Sequence, residues 1–193
     1  MKVIPSSIKD ILIIEPDVFG DHRGYFFESW NQEKYANCGI NANFVQDNES
    51  CSKFGVLRGL HYQAAPYTQA KLVRVISGKV LDIAVDIRKG SPSFGQYAAI
   101  ELSDENKRQV YIPRGFAHGF VVLSEKAVFT YKCDTPYMPS SERGIAFNDP
   151  TLAIDWKINL KDCILSEKDL KNPLFKDAEV FDYNNKEYLQ WKF

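Results

Sequence analysis

Histidine is scarce in this chain: three occur among 193 residues, at 22, 61 and 118. Each can therefore be weighed singly as a base or a metal ligand. Cysteine is sparse too, with four residues at 38, 51, 133 and 163 and no C-x-x-C pair. That spacing excludes a zinc site built on paired cysteines. It fits four reduced thiols in a cytoplasmic protein better than a disulfide framework. There is no excess of basic charge. The formal net charge is −1, and Lys and Arg form no run, so binding to nucleic acid through bulk charge is not expected. No apolar run approaches the roughly 20 residues of a membrane span. The N-terminal stretch MKVIPSSIKDILIIEP has Pro5 and polar residues where a signal peptide needs an unbroken apolar core, which points to a soluble cytoplasmic protein with no membrane partner.

What the chain does have is strand-forming residues between turn signals. Residues 71–89, KLVRVISGKVLDIAVDIRK, hold two β-rich runs around Ser77-Gly78, a hairpin signal. In the second run Val80, Asp82, Ala84 and Asp86 share one face, and Leu81, Ile83, Val85 and Ile87 share the other. This period of two predicts a half-buried strand. Extended runs follow at 94–103, 108–113 and 118–133, the last with a hairpin tip at Ser124-Glu125-Lys126. Upstream, 11–19, 24–30, 43–50 and 55–63 read the same way. Helical signals are short: 31–39, closed by Gly39, and 166–173, opened by Ser166 and stopped by Pro173. The expected fold is all-β, a barrel or sandwich with short peripheral helices. No repeat or linker divides the chain, so 1–193 is expected to form one domain with an N-terminal arm and a short helical C-terminal segment.

Two histidines lie in informative settings. Pro113-x-Gly115-x-x-His118 resembles the second motif of the cupin superfamily of jelly-roll barrels, in which a turn delivers the histidine to a strand facing the interior. Metal-binding cupins carry a His-x-His pair in the first motif, and here the corresponding stretch is His61-Tyr62-Gln63. Two histidines without a nearby carboxylate match a transition-metal site poorly, so no metal is expected. His118 is then either a hydrogen-bonded barrel residue or a substrate contact. His61 follows Arg58 by three residues, and Lys71 comes ten later. On a regular strand 58 and 61 face opposite sides. A bulge at Gly59 would turn both inward. Spacing alone makes a lone strand histidine more often structural than catalytic. Two cations beside a histidine that titrates near neutrality nevertheless suit a phosphorylated, enolate-forming ligand.

Several co-linear stretches then resemble one family. GDHRGYFFESW (20–30), FVQDNES (44–50), GVLRGLHYQ (55–63), residues 69–95, QVYIPRGFAHGF (109–120), TYKCDTPYMP (130–139) and LSEKD (165–169) look like the dTDP-4-dehydrorhamnose 3,5-epimerases. The resemblance covers nearly the whole chain, in the family's order. It implies a cupin-type jelly roll and epimerisation at C3 and C5 of a dTDP-linked 4-keto-6-deoxy sugar. No cofactor is implied, because the substrate's ketone serves as electron sink. It also implies roles. His61 would be the base, oriented by Asp169; Tyr131 would be the acid; Lys71 would stabilise the enolate. Arg58, Gln46 and Asn48 would contact the diphosphate or sugar. Tyr137 would sit near the base or sugar. Arg23, Phe26 and Glu28 would reach the nucleotide end from a segment shared between the subunits of a homodimer. Read from the residues alone, bland roles stay open. Asp169 fits the third position of a helix cap, Tyr131 fits packing beside Phe129, Phe26 fits a core, and Arg23 with Glu28 fits a solvated pair. Relatives that invert a single carbon or act on another nucleotide-linked 4-keto sugar, a metal-dependent cupin oxygenase and a non-catalytic sugar-binding cupin are the competing functions.

Overall fold

The period-two segments assemble into two antiparallel sheets facing each other. The computed structural model describes residues 1–190. In chain order the strands are β1 (Lys2–Pro5), β2 (Leu12–Glu15), β3 (Phe19–Asp21), β4 (Gly24–Phe26), β5 (Gln46–Lys53), β6 (Leu57–Gln63), β7 (Lys71–Ser77) and β8 (Lys79–Asp86). They continue with β9 (Arg88–Lys89), β10 (Tyr97–Ser103), β11 (Gln109–Ile112), β12 (Phe116–Val122), β13 (Lys126–Cys133), β14 (Glu142–Gly144) and β15 (Phe181–Asp182). The six-stranded sheet runs β1-β2-β11-β7-β13-β5, and the five-stranded sheet runs β10-β8-β12-β6-β14. This is the jelly roll expected from the sequence.

Two expected hairpins are instead corners. β7 and β8, joined at Gly78, lie in different sheets, as do β12 and β13. Gly78 has φ +83°, and a Cβ there would stand 2.1 Å from the carbonyl oxygen of Lys126. The backbone N–H of Lys79 donates to Ser124 Oγ at 2.8 Å. The two corners thus interlock, and each sends its chain from one sheet to the other. The turn residues are right for a sharp reversal, but the close packing of a second corner splits the strands apart.

β8 is also more buried than a half-buried strand. Val80 and Ala84 join Val73, Leu102 and Phe129 between the sheets. Leu81, Ile83, Val85 and Ile87 pack under Leu152, Trp156, Phe175, Phe181 and Tyr188 of the C-terminal segment. That segment, irregular and rich in short 3₁₀ turns, covers the outer face of the five-stranded sheet. Each large apolar side chain so covered contributes roughly 1.5–3 kcal/mol. The face bearing Asp82 and Asp86 is therefore interior.

The helical signals are realised in reduced form. α1 spans Gln32–Ala36, with the Asn31 side chain accepting from the N–H of Lys34 and Gly39 at φ +88° beyond it. The expected helix at 166–173 is a single 3₁₀ turn over Asp169–Lys171. Pro173 limits its length. Among the described residues no helix is long and apolar enough to cross a membrane.

Candidate active site

The site begins with a bulge in β6. His118 stands opposite His61 and Phe120 opposite Arg58, so Gly59 and Leu60 together face the single residue Gly119. Gly59 has φ +123°, and a Cβ on it would lie 2.6 Å from Gly119 Cα and 2.7 Å from the His118 carbonyl oxygen. Only glycine fits this approach. The extra residue brings Arg58 and His61 onto one side, as the sequence predicts, while Leu60 turns into the core under the C-terminal segment.

Both side chains line a cavity of about 680 Å³ between the sheets. The five-stranded sheet supplies Arg58 and His61 from β6 and His118 from β12. The six-stranded sheet supplies Asn48 from β5, Lys71 from β7 and Tyr131 from β13. Ile164, Leu165, Ser166 and Asp169 complete the wall. His61 and Tyr131 thus enter from facing sheets.

His61 Nε2 lies 2.5 Å from Asp169 Oδ1. The Asp169 side chain is 5% exposed, against 29% for His61. Asp169 Oδ2 accepts from Ser166 Oγ at 2.7 Å, and the Asp169 N–H donates to Ser166 Oγ at 3.1 Å. Burial pushes the Asp169 carboxyl pKa up, but the bonds to His61 and Ser166 outweigh it and hold the group below the usual range. Among the described residues His61 Nδ1 has no hydrogen-bond partner. If Nε2–H donates to Asp169, Nδ1 presents a lone pair.

Lys71 stands with its ammonium 5.7 Å over the ring of Tyr131 and makes no ion pair among the described residues. Burial lowers its pKa, opposed by Cys133, Asp82 and Glu142. Burial raises the Tyr131 hydroxyl pKa, which leaves a neutral phenol able to donate. Its ring also packs beside Phe129, so core packing and a cavity-facing hydroxyl coexist. Arg58 donates to Ser52 Oγ at 3.2 and 3.3 Å and is otherwise available to a ligand.

The remaining expected residues divide. Asn48 is in the wall. Gln46 lies behind it, donating to Asn48 Oδ1 at 2.9 Å and accepting from the Tyr137 N–H at 2.8 Å. Tyr137 is half exposed and donates its hydroxyl to Glu142, which also meets Lys168. Arg23, Phe26 and Glu28 do not reach this cavity in their own chain. Arg23 pairs with Asp21, and Glu28 pairs with Lys34 at 2.9 Å. Phe26 is 70% exposed on the β3–β4 hairpin rather than in a core.

Sequence reasoning did not select Asp82. His118 Nε2 lies 2.8 Å from Asp82 Oδ2, and both residues are buried. Burial lowers the His118 pKa against the pull of Asp82, so the ring stays neutral near pH 7. The available signal was a carboxylate in register with Val80 and Ala84. Ser166 and Glu142 were missed for lack of any periodicity around them.

The model of the dTDP-4-dehydrorhamnose 3,5-epimerase family matches residues 5–177. The dTDP-4-dehydrorhamnose 3,5-epimerase of Pseudomonas aeruginosa is 55% identical over 183 residues, covering 94% of this chain and 99% of that protein. The crystal structure of dTDP-6-deoxy-D-glucose-3,5-epimerase from Legionella pneumophila, in complex with dTDP-4-keto-L-rhamnose, is similar with a TM-score of 0.91 at 50% identity, covering 94% and 98% of the two chains. A 3'-monoepimerase from Streptomyces bikiniensis, in complex with dTDP-quinovose, is similar with a TM-score of 0.87 at 30% identity, covering 96% and 99%.

Proposed function

The chain belongs to the dTDP-4-dehydrorhamnose 3,5-epimerase family, and on that footing we propose that it converts dTDP-4-dehydro-6-deoxy-D-glucose into dTDP-4-dehydro-L-rhamnose by inverting C3 and C5. The observation that carries this reading is the His61–Asp169 pair lining one cavity with Lys71 and Tyr131.

The 4-keto group acidifies the carbons on either side of it. His61 takes the proton from one of them through Nδ1, while Asp169 accepts the Nε2–H and stabilises the imidazolium that forms. The C–H electron pair moves onto the C4 oxygen, where the Lys71 ammonium faces the developing charge. Tyr131 returns a proton from the opposite sheet, and the centre is inverted. His61 then gives its proton to solvent and Tyr131 regains one from it, and a second cycle inverts the other carbon. A single base would tend to return the proton to the face it came from, so two groups on opposite walls are required. Positioned acid–base groups contribute roughly 10²–10⁴-fold, and a cation at the oxyanion contributes comparably. Arg58 and Asn48 hold the diphosphate or sugar, with Gln46 positioning Asn48.

Two copies pair, each extending the arm with Arg23, Phe26 and Glu28 toward the partner's cavity. The exposure of Phe19, Tyr25 and Phe26 on the β3–β4 hairpin supports this reading. Four free cysteines suit the cytoplasm.

The test is turnover of the 4-keto-6-deoxyglucose nucleotide in D₂O, coupled to a reductase. Deuterium at both C3 and C5 of an L-rhamno product is expected. Label at one carbon only would instead favour the single-inversion reading, which the similarity to the 3'-monoepimerase keeps in play.

A further inference from the structure

The Lys71 ammonium needs a counter-charge, and the surrounding groups can be taken in turn. Tyr131 and Cys133 face it from β13, His118 from β12, Glu142 from β14 and Asp82 from β8, and His61 of β6 lines the same cavity. Burial pushes the Cys133 thiol up to about 11, so it carries no charge near neutrality. Tyr131 is a neutral phenol under the same influence. Glu142 is already engaged by Lys168 and Tyr137. His118 stays neutral, so it does not cancel a charge on Asp82.

Asp82 is the group left over. It is fully buried in the middle of β8, on the face it shares with Val80 and Ala84. Its Oδ2 meets His118 Nε2 at 2.8 Å. Its Oδ1 is buried with no hydrogen-bond partner among the described residues. An orphan carboxylate oxygen inside an apolar sandwich is costly unless a charge nearby compensates it. Lys71 and His118 are neighbours: they share the wall of the 680 Å³ cavity and also that of a void of about 10 Å³ behind it.

We propose that Asp82 is a positioning residue of this site, fixing His118 through Nε2 and supplying the negative charge against which Lys71 carries its ammonium. The proposal rests on the placement of Lys71 at the ketone given above. His118, held as an Nε2–H donor to Asp82, keeps Nδ1 as an acceptor at the cavity wall. Asp82 does not touch the substrate. It acts by keeping Lys71 protonated in a place where burial works against the charge.

Asp82→Asn removes the charge and keeps an oxygen to accept from His118. Lys71 is followed by ¹³C NMR of the reductively methylated protein, with Lys71→Arg identifying its resonance. Losing a nearby negative charge lowers the ammonium pKa. The Lys71 resonance of Asp82→Asn is therefore expected to titrate about one pH unit or more below that of the native protein. The alkaline limb of kcat should move the same way, with KM changing less than about threefold. A purely structural Asp82 would lower the melting temperature and leave both titrations in place. Coincident Lys71 titrations overturn the proposal. A shifted Lys71 titration with an unshifted kcat profile upholds the Asp82–Lys71 coupling and overturns the placement of Lys71 at the ketone. If Asp82→Asn does not fold, Asp82→Ser, which leaves room for a water, takes its place in both measurements.

Discussion

Nε2 of His61 meets Oδ1 of Asp169 across 108 residues of chain. The same carboxylate closes the 3₁₀ turn at Ser166 through its second oxygen. The turn-capping role and the orienting role are thus held by one side chain. The cap fixes where the carboxylate sits, and the carboxylate fixes which nitrogen of His61 faces the cavity.

Replacing Asp169 with Asn should therefore damage catalysis more than binding. An amide can present N–H to Nε2, which forces the histidine's own hydrogen onto Nδ1 and removes the lone pair from the cavity. A kcat loss of roughly 10²–10⁴-fold with KM nearly unchanged is expected from steady-state assays. A comparable rise in KM without loss of kcat would refute the orienting role.

Asp169 also gives stability a pH dependence of definite sign. Its carboxyl titrates below the ordinary range in the folded protein. Its contribution is fully present above the unfolded value near 3.9 and is lost as pH falls through the lower native value. The difference in urea midpoint between the native protein and Asp169→Asn should be largest near neutrality and shrink below about pH 3.5. Denaturation curves from pH 7 downward measure it.

Tyr131→Phe separates deprotonation from inversion. The ring contact with Phe129 survives, so the melting temperature should move by less than about 2 °C. Exchange of substrate protons with D₂O through His61 should continue, while formation of inverted product falls by about 10²-fold or more. Equal losses of exchange and inversion would remove Tyr131 as the acid.

The strands were readable from the sequence because alternation survives in 71–89 and 118–133. Their allocation to sheets was not. A short turn such as Ser77-Gly78 looks the same whether its strands pair or part at a corner, and here the interlocking corner at Ser124 decides. The faces of β8 were also ambiguous. Its carboxylate face reads as the wet one until the C-terminal segment is seen to cover Leu81, Ile83 and Val85. For that reason Asp82 escaped notice. The bulge at Gly59 was legible from Arg58 and His61, whereas the contact of His61 with Asp169 came from family resemblance alone. Periodicity carries no information across 108 residues.

The bulge makes a sharp stability prediction. Gly59→Ala would place a methyl group 2.6 Å from Gly119 Cα, at a φ that disfavours L residues. Backbone meets backbone here, so nothing flexible can yield. Destabilisation of about 2 kcal/mol or more is expected, together with loss of activity as Arg58 and His61 part. Ala at the open Gly24 meets no atom within 4 Å and serves as the control for φ strain alone. A Gly59→Ala melting curve no worse than that of Gly24→Ala would show that the approach is not tight.

The arm can be tested by complementation between subunits. Arg23 sits on an exposed hairpin, remote from the cavity of its own chain. If it serves the partner's cavity, an Arg23→Ala subunit retains a sound His61–Asp169 pair but offers a defective arm. A His61→Ala subunit does the reverse. Each homodimer should be weak, the first through KM and the second through kcat. Mixing and re-equilibrating equal amounts gives about half heterodimers, each with one site built from a sound arm and a sound dyad, so about a quarter of native activity should return. Light scattering on the same samples reports the dimer. Activity that stays at the mean of the two variants after exchange would place arm and dyad of each site on the same chain.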